Sequence, residues 1–375
     1  MSGLVKILLY FVASVALSLL VAPLVIKIMR KLKAKQTVLG YVKQHEHKSG
    51  TPTMGGFIFL LPTIVFSLVE FQRFSLVAAA LSAGFCVLGF LDDFIKIRYA
   101  RNLGLKPYQK IIGQLGLSFA AGWFAYASKD VGSAINLPFS TFTLNMSWGI
   151  IPFVMLVYVA TTNCVNLTDG LDGLACGVSA IASLTMLVVS LLVSDANINV
   201  AVILAALCGG CLGFIPYNLN PAKIFMGDTG ALLLGYVLAT VSVIGMFKFY
   251  AVVTFVLPVL ALAVPLSDTI FAFTRRILHG QSPFHADRGH FHHKLLDMGL
   301  SQKQAVAVLY AVSAILGLAA VLLTSTGIIR VVVAVIAFVI AVCIWLFVFR
   351  NNNNIHPLPH EKPADESGEA DSKNE

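Results

Sequence analysis

Polar and apolar positions in this chain are sorted into long blocks, without the short alternation of a water-soluble fold. Apolar runs almost free of charge recur at 5–26, 54–70, 75–91, 111–127, 148–165, 174–193, 199–216, 230–246, 250–273, 304–324 and 328–349. Runs of roughly 20 apolar residues match the hydrocarbon thickness of a bilayer and predict spanning helices. The first run has only Lys6 ahead of it and no small-residue cleavage site, so it reads as a retained anchor. The pattern predicts an all-α fold: a polytopic integral membrane helix bundle of about 10–11 transmembrane helices over 1–349. Residues 350–375 are polar, acidic and rich in Asn and Pro, and read as a disordered tail.

Charge orients the bundle. With the N-terminus outside, the inside connections are 27–53, 92–110, 166–173, 217–229, 274–303 and the tail, and they hold 21 of the 26 Lys and Arg residues. That asymmetry predicts N-out and C-in for eleven spans. The net charge of +8 is therefore a topology signal, and nucleic acid is not an expected partner. Overall, 58% of residues are hydrophobic and 12% charged, which excludes a soluble fold. The six cysteines lie in or beside apolar runs; Cys208 and Cys211 flank Gly209 and Gly210, a spacing that reads as close helix packing. Homodimerisation through apolar faces is compatible with this composition, although no stripe singles out an interface.

The inside connections carry nearly all the unusual chemistry: HKSGTPTMGG (47–56), LDDFIKIRYARNLGLKPYQK (91–110), NCVNLTDGLDG (163–173), NLNPAKIFMGDTG (218–230) and HGQSPFHADRGHFHHK (279–294). Acids, bases, histidines and glycines distant in sequence thus gather at one membrane face, as in an active site assembled from several loops. Asp92 and Asp93 follow an uncharged run, and neighbours on a helix point about 100° apart, so the pair must divide its work unless the span ends there. Asn166, Asp169 and Asp172 share a face if their segment is helical, while Gly170 and Gly173 allow a turn instead. Clustered carboxylates suit a hard, oxygen-preferring cation such as Mg²⁺, and the neighbouring Lys48, Lys106, Lys223 and Arg288 suit phosphate. No Walker A or H-E-x-x-H pattern occurs. The residues alone therefore read as Mg²⁺-assisted chemistry on a phosphorylated substrate, with a long membrane lipid accounting for the bilayer setting. Carboxylates gathered at span ends, all toward one side and without repeated halves, argue against an ion-coupled transporter.

GTPTMGG (50–56), GFLDDFIK (89–96), RNLGLKPYQK (101–110), NLTDGLDGLA (166–175) and FMGDTG (225–230), in that order, resemble the phospho-N-acetylmuramoyl-pentapeptide-transferase family. The resemblance implies Mg²⁺-dependent transfer of phospho-MurNAc-pentapeptide from UDP-MurNAc-pentapeptide to undecaprenyl phosphate, giving lipid I and UMP in the first membrane step of peptidoglycan synthesis. It further implies a multi-pass protein of the bacterial cell membrane with its active site on the cytoplasmic side. Carried onto matching positions, Asp92 would position or deprotonate the lipid phosphate, Asp93 would lie near the metal and Asp228 would be the principal ligand. Lys48, Thr53, Asn166, Asp169, Gly170, Leu171 and Asp172 would bind substrate, with Phe225 stacking on uracil. Lys106, His290, His292 and His293 would hold phosphates. The late loop SPFHADRGHFHHKLL (282–296) departs from the family's usual run of three histidines and looks more like relatives that move GlcNAc-1-phosphate, which stand as the alternative.

Overall fold

A computed structural model describes residues 3–34, 50–69, 73–99, 104–128, 134–136, 143–192, 198–245, 274, 295–296, 298–325 and 327–352. Ten α-helices are found among them: α1 Gly3–Lys31, α2 Gly56–Val69, α3 Arg73–Arg98, α4 Pro107–Ala127, α5 Ile150–Thr168, α6 Leu174–Leu192, α7 Ile198–Asn218, α8 Gly227–Thr240, α9 Gln302–Thr324 and α10 Gly327–Asn352. These coincide with ten of the eleven expected spans; the run at 250–273 lies outside the described residues. Six of the helices (α1, α3, α5, α6, α7 and α9) are long and apolar enough to cross a membrane, and α2, α8 and α10 are shorter apolar helices. The protein is a multi-pass helical membrane protein. A small antiparallel hairpin, β1 Ala134–Asn136 with β2 Thr143–Asn145, sits in the connection between α4 and α5. Hydropathy could not foresee it, because three-residue strands leave no periodic signal.

Packing explains which helices are central. Every side chain from Thr229 to Thr240 of α8 is buried, and α6 and α7 are buried along most of their length. In a bilayer this marks helices surrounded by other helices, whereas α10 exposes Ile328, Val331, Val332, Val335 and Phe338 as a lipid-facing surface would. Small residues let backbones approach: Gly209 and Gly213 of α7 pack against Phe11 and Val15–Ser18 of α1, with Gly210 against Phe59 of α2. Successive contacts climb in step, with Gly3 against Ile198 and Leu19 against Tyr217, so α1 and α7 run parallel. Cys208 and Cys211 are buried free thiols in this packing, as expected.

Backbone pairing ties the helix ends of one face together. Thr53 donates its N–H to Ala34 O just after α1, Phe225 donates to Pro52 O, and Gly55 and Gly56 donate to the carbonyls of Phe225 and Met226. The GTPTMGG segment is thereby laid along the FMGDTG segment. Gly56 against Gly230, and Gly89 of α3 against Asp228, complete a close junction of α2, α3 and α8.

Candidate active site

Asp92 and Asp93 lie in the penultimate turns of α3, which continues unbroken to Arg98. The pair does divide its work. Asp93 turns toward the start of α8, where its oxygens accept the N–H of Asp228 at 3.1 Å, the N–H of Thr229 at 2.9 Å and the Thr229 hydroxyl at 2.7 Å. The first amides of a helix have no intrahelical partner, and a carboxylate there also meets the positive end of the helix dipole. Asp93 is thus an N-terminal cap supplied by a different helix. Gly227, at φ +69°, turns the chain into α8; a side chain there would run into Asp93 Oδ2 and Thr53 Oγ1.

Asp92 faces the other way. Its Oδ1 accepts the N–H of Leu105 at 2.9 Å, and its Oδ2 lies 2.5 Å from Lys96 Nζ. Lys96 is one turn further along α3, and its ammonium is also 3.2 Å from Asp228 Oδ1 and 4.0 Å from Asp93 Oδ1. Lys110, in the first turns of α4, pairs with Asp228 Oδ2. Asp92 and Asp93 are each only 3% exposed, so bulk water does not solvate them. Lysines and backbone amides compensate their burial instead, as buried charges require. Three carboxylates against two ammonium groups leave a formal charge of −1.

An oxygen from each of Asp92, Asp93 and Asp228 lies within 4.8 Å of the others. Opposite oxygens around octahedral Mg²⁺, each bonded at about 2.1 Å, are about 4.2 Å apart. The donors are all hard oxygens, they carry a net negative charge, and they already converge on one cation, the Lys96 ammonium. The residues present fit a divalent metal.

The second group of expected residues ends α5. The helix stops at Thr168, and 169–173 form a turn, so Asn166, Asp169 and Asp172 do not share one helical face. Asn166 is half-buried, and its Nδ2 is buried without a hydrogen-bond partner among the described residues. Asp172 is buried and accepts from Asn220 Nδ2 at 3.0 Å and from the N–H of Ala222 at 3.3 Å. Asn220 also donates to Gln302 Oε1 at 2.8 Å, which joins this turn to the α7–α8 loop and to the start of α9. Leu171 is buried in an apolar cluster with Val306 and Leu309 of α9, while the Tyr310 hydroxyl donates to Gly173 O at 2.5 Å. Leu171 and Asp172 thus also anchor the turn. One helix face links the two regions: Lys110 and Gln114 are a turn apart on α4, and Gln114 exchanges hydrogen bonds with Asn163 of α5.

Thr53 is buried beside Gly227, and Phe225 is half-buried in the loop that Pro52 and Gly55 hold. Lys106 is exposed, with its ammonium 5.9 Å from the Tyr108 ring, so the lysine of 101–110 brought to the carboxylates is Lys110 of α4. Lys48, His290, His292 and His293 lie outside the described residues. Two lysines that pair with these aspartates escaped the sequence reading. Lys96 was legible, since it stands three and four residues after the aspartates on the same helical face. Lys110 was not, because only the fold of the 99–107 connection decides which lysine arrives.

The chain is a membrane-embedded transferase, and the model of glycosyl transferase family 4 matches residues 75–246. Signature 1 of phospho-N-acetylmuramoyl-pentapeptide-transferase matches residues 48–60. The chain is 38% identical over 320 residues to the phospho-N-acetylmuramoyl-pentapeptide-transferase of Clostridium beijerinckii, covering 83% of this chain and 94% of that one. The enzyme of the same name from Desulfitobacterium hafniense is 34% identical over 337 residues, with 85% and 98% covered. That of Clostridioides difficile is 44% identical over 229 residues, with 60% and 71% covered. The chain belongs to the phospho-N-acetylmuramoyl-pentapeptide-transferase family.

Proposed function

We propose that this transferase moves phospho-MurNAc-pentapeptide from UDP-MurNAc-pentapeptide onto undecaprenyl phosphate, releasing UMP, at the cytoplasmic face of a bacterial cell membrane. The observation that supports this most is the junction of α3, α4 and α8, which gathers Asp92, Asp93, Asp228, Lys96 and Lys110 around one point. Kinship supplies the names of substrates; the junction supplies a place where the charge of a diphosphate can be neutralised.

The roles divide by geometry. Asp93 has its oxygens committed to the first turn of α8, which suits a positioning residue that holds Asp228 in place. Asp92 and Asp228 aim oxygens at ammonium groups and so present the better pair for Mg²⁺. When bound, Mg²⁺ supplies charge neutralisation across the diphosphate, which in phosphoryl transfer is a leading part of the catalysis. Lys96 and Lys110 then add fixed positive charge where phosphate oxygens gain negative charge. Asp92, tethered by the Leu105 amide, orients or deprotonates the lipid phosphate. The unpartnered Asn166 Nδ2 offers a donor to a nucleobase carbonyl, and Phe225 a face for stacking.

In this reading the lipid phosphate oxygen attacks the β-phosphorus directly and UMP leaves. Incubating the purified enzyme with each UDP-sugar and undecaprenyl phosphate, then weighing the lipid product, tests the substrate. Product from UDP-GlcNAc alone would overturn the proposal. A labelled phospho-enzyme trapped without lipid acceptor would replace direct attack by a covalent route.

A further inference from the structure

A second polar site lies apart from the carboxylates, in a groove of about 340 Å³ between the ends of α1 and α7. Among the described residues its lining is Pro23, Ile26, Lys27 and Arg30 of α1, Tyr217 of α7 and Lys223 of the α7–α8 loop, with three cations and no carboxylate. The four α1 residues are spaced three, one and three apart, which places them on one helical face.

Pro23 shapes the groove. A proline inside a helix has no N–H for the carbonyl four residues earlier, so Leu19 O is deprived of its usual donor. The Tyr217 hydroxyl donates to that oxygen at 3.3 Å and bolts α7 to α1. Lys223 holds its ammonium 5.8 Å from the Tyr217 ring centre, a cation–π arrangement that covers the aromatic face and fixes a positive charge at the rim. The backbone of Lys223 is tied as well, its N–H donating to Tyr217 O at 2.8 Å.

We propose that this groove holds the phosphate headgroup of an anionic membrane phospholipid. Arg30 offers a planar fork for phosphate oxygens, Lys27 and Lys223 offer point charges, and Pro23 and Ile26 form an apolar wall for the glycerol and first methylenes. The volume is at the low end for small-molecule pockets, enough for a headgroup but cramped for a nucleotide-linked peptide. The lysine over Tyr217 also denies a nucleobase its stacking face. The groove sits at the end of α1 that is paired to the GTPTMGG segment, hence on the membrane face of the carboxylates. Its assignment to the inner leaflet, where anionic lipids reside, rests on the orientation proposed above.

The test counts phospholipids carried by the intact protein in mass spectrometry after extraction from mixed phosphatidylglycerol and phosphatidylcholine bilayers. Wild-type protein should retain phosphatidylglycerol preferentially, and a K27Q/R30Q variant about tenfold less. K31Q/K33Q removes the same charge from exposed positions at the same helix end and should retain lipid like wild type. Equal loss from both double variants, or loss from neither, overturns the proposal. Displacement of the lipid by millimolar inorganic phosphate, or by equimolar undecaprenyl phosphate, overturns it in favour of a free anion or the acceptor lipid. If K27Q/R30Q fails to fold, the single variants Lys27→Gln and Arg30→Gln serve, each with a twofold to fivefold fall expected. No UDP-sugar enters the assay, so its failure is distinguishable from failure of the transferase reading.

Discussion

The carboxylate of Asp93 on α3 grips Thr229 on α8 twice, through its backbone N–H at 2.9 Å and its hydroxyl at 2.7 Å. Two helices 136 positions apart in sequence are thereby locked at the point where Asp228 must stand. Asp93→Asn would replace one accepting oxygen by an amide donor facing a backbone N–H at the start of α8, so it should destabilise the protein by about 1–3 kcal/mol. Thr229→Val removes only the hydroxyl and should cost about 1 kcal/mol. Thermal unfolding in detergent measures both, and an unchanged transition for Asp93→Asn would rule out the capping role.

Asp228→Asn should behave differently. Its side chain meets lysines rather than the α8 backbone, so the fold should persist while UMP release falls by about 10²-fold or more. Metal removal by a chelator should silence the wild-type enzyme, and added Mg²⁺ should restore it. The variant should require more Mg²⁺ for its residual activity; an identical Mg²⁺ titration would move the metal away from Asp228.

Lysine exchange distinguishes the two candidates in the 101–110 segment. Lys110→Gln removes one of the two lysine partners of Asp228 and should lower kcat about 10²-fold. Lys106→Gln alters an exposed residue beside Tyr108 and should change kcat less than threefold. Steady-state kinetics on the two variants decides, and the reverse ranking would return Lys106 to the centre.

Tyr310→Phe deletes the hydroxyl that holds Gly173 O. The expected loss of stability is about 1 kcal/mol. If 166–173 binds the nucleoside, KM for the UDP-linked substrate should rise severalfold while kcat stays within twofold. A fall in kcat with KM unchanged would separate this turn from nucleotide binding.

Much of this was legible before any coordinates. Ten runs became helices because hydrocarbon thickness leaves a length signature that needs no tertiary information. Asp92, Asp93 and Asp228 stood out because charge at the end of an apolar run needs compensation. What stayed hidden depends on packing. Asp172 reads like a ligand, yet its Oδ2 also accepts from Asn220 and Ala222, partners that only the α7–α8 loop brings near. Leu171 likewise packs under α9, more than 130 positions away, where no local pattern points. The burial of Asp92 was also invisible, since it depends on Lys96 and on the backbone of Leu105 from the next loop.

The splice between 52–56 and 225–226 is made of main-chain atoms alone. It closes because Gly55 and Gly56 bring no side chain: a Cβ at either would come within 3 Å of Phe214 and Phe225 O or of Gly230, and would displace the frame that presents Asp228. Natural variants that keep turnover should therefore leave Gly55 and Gly56 unchanged.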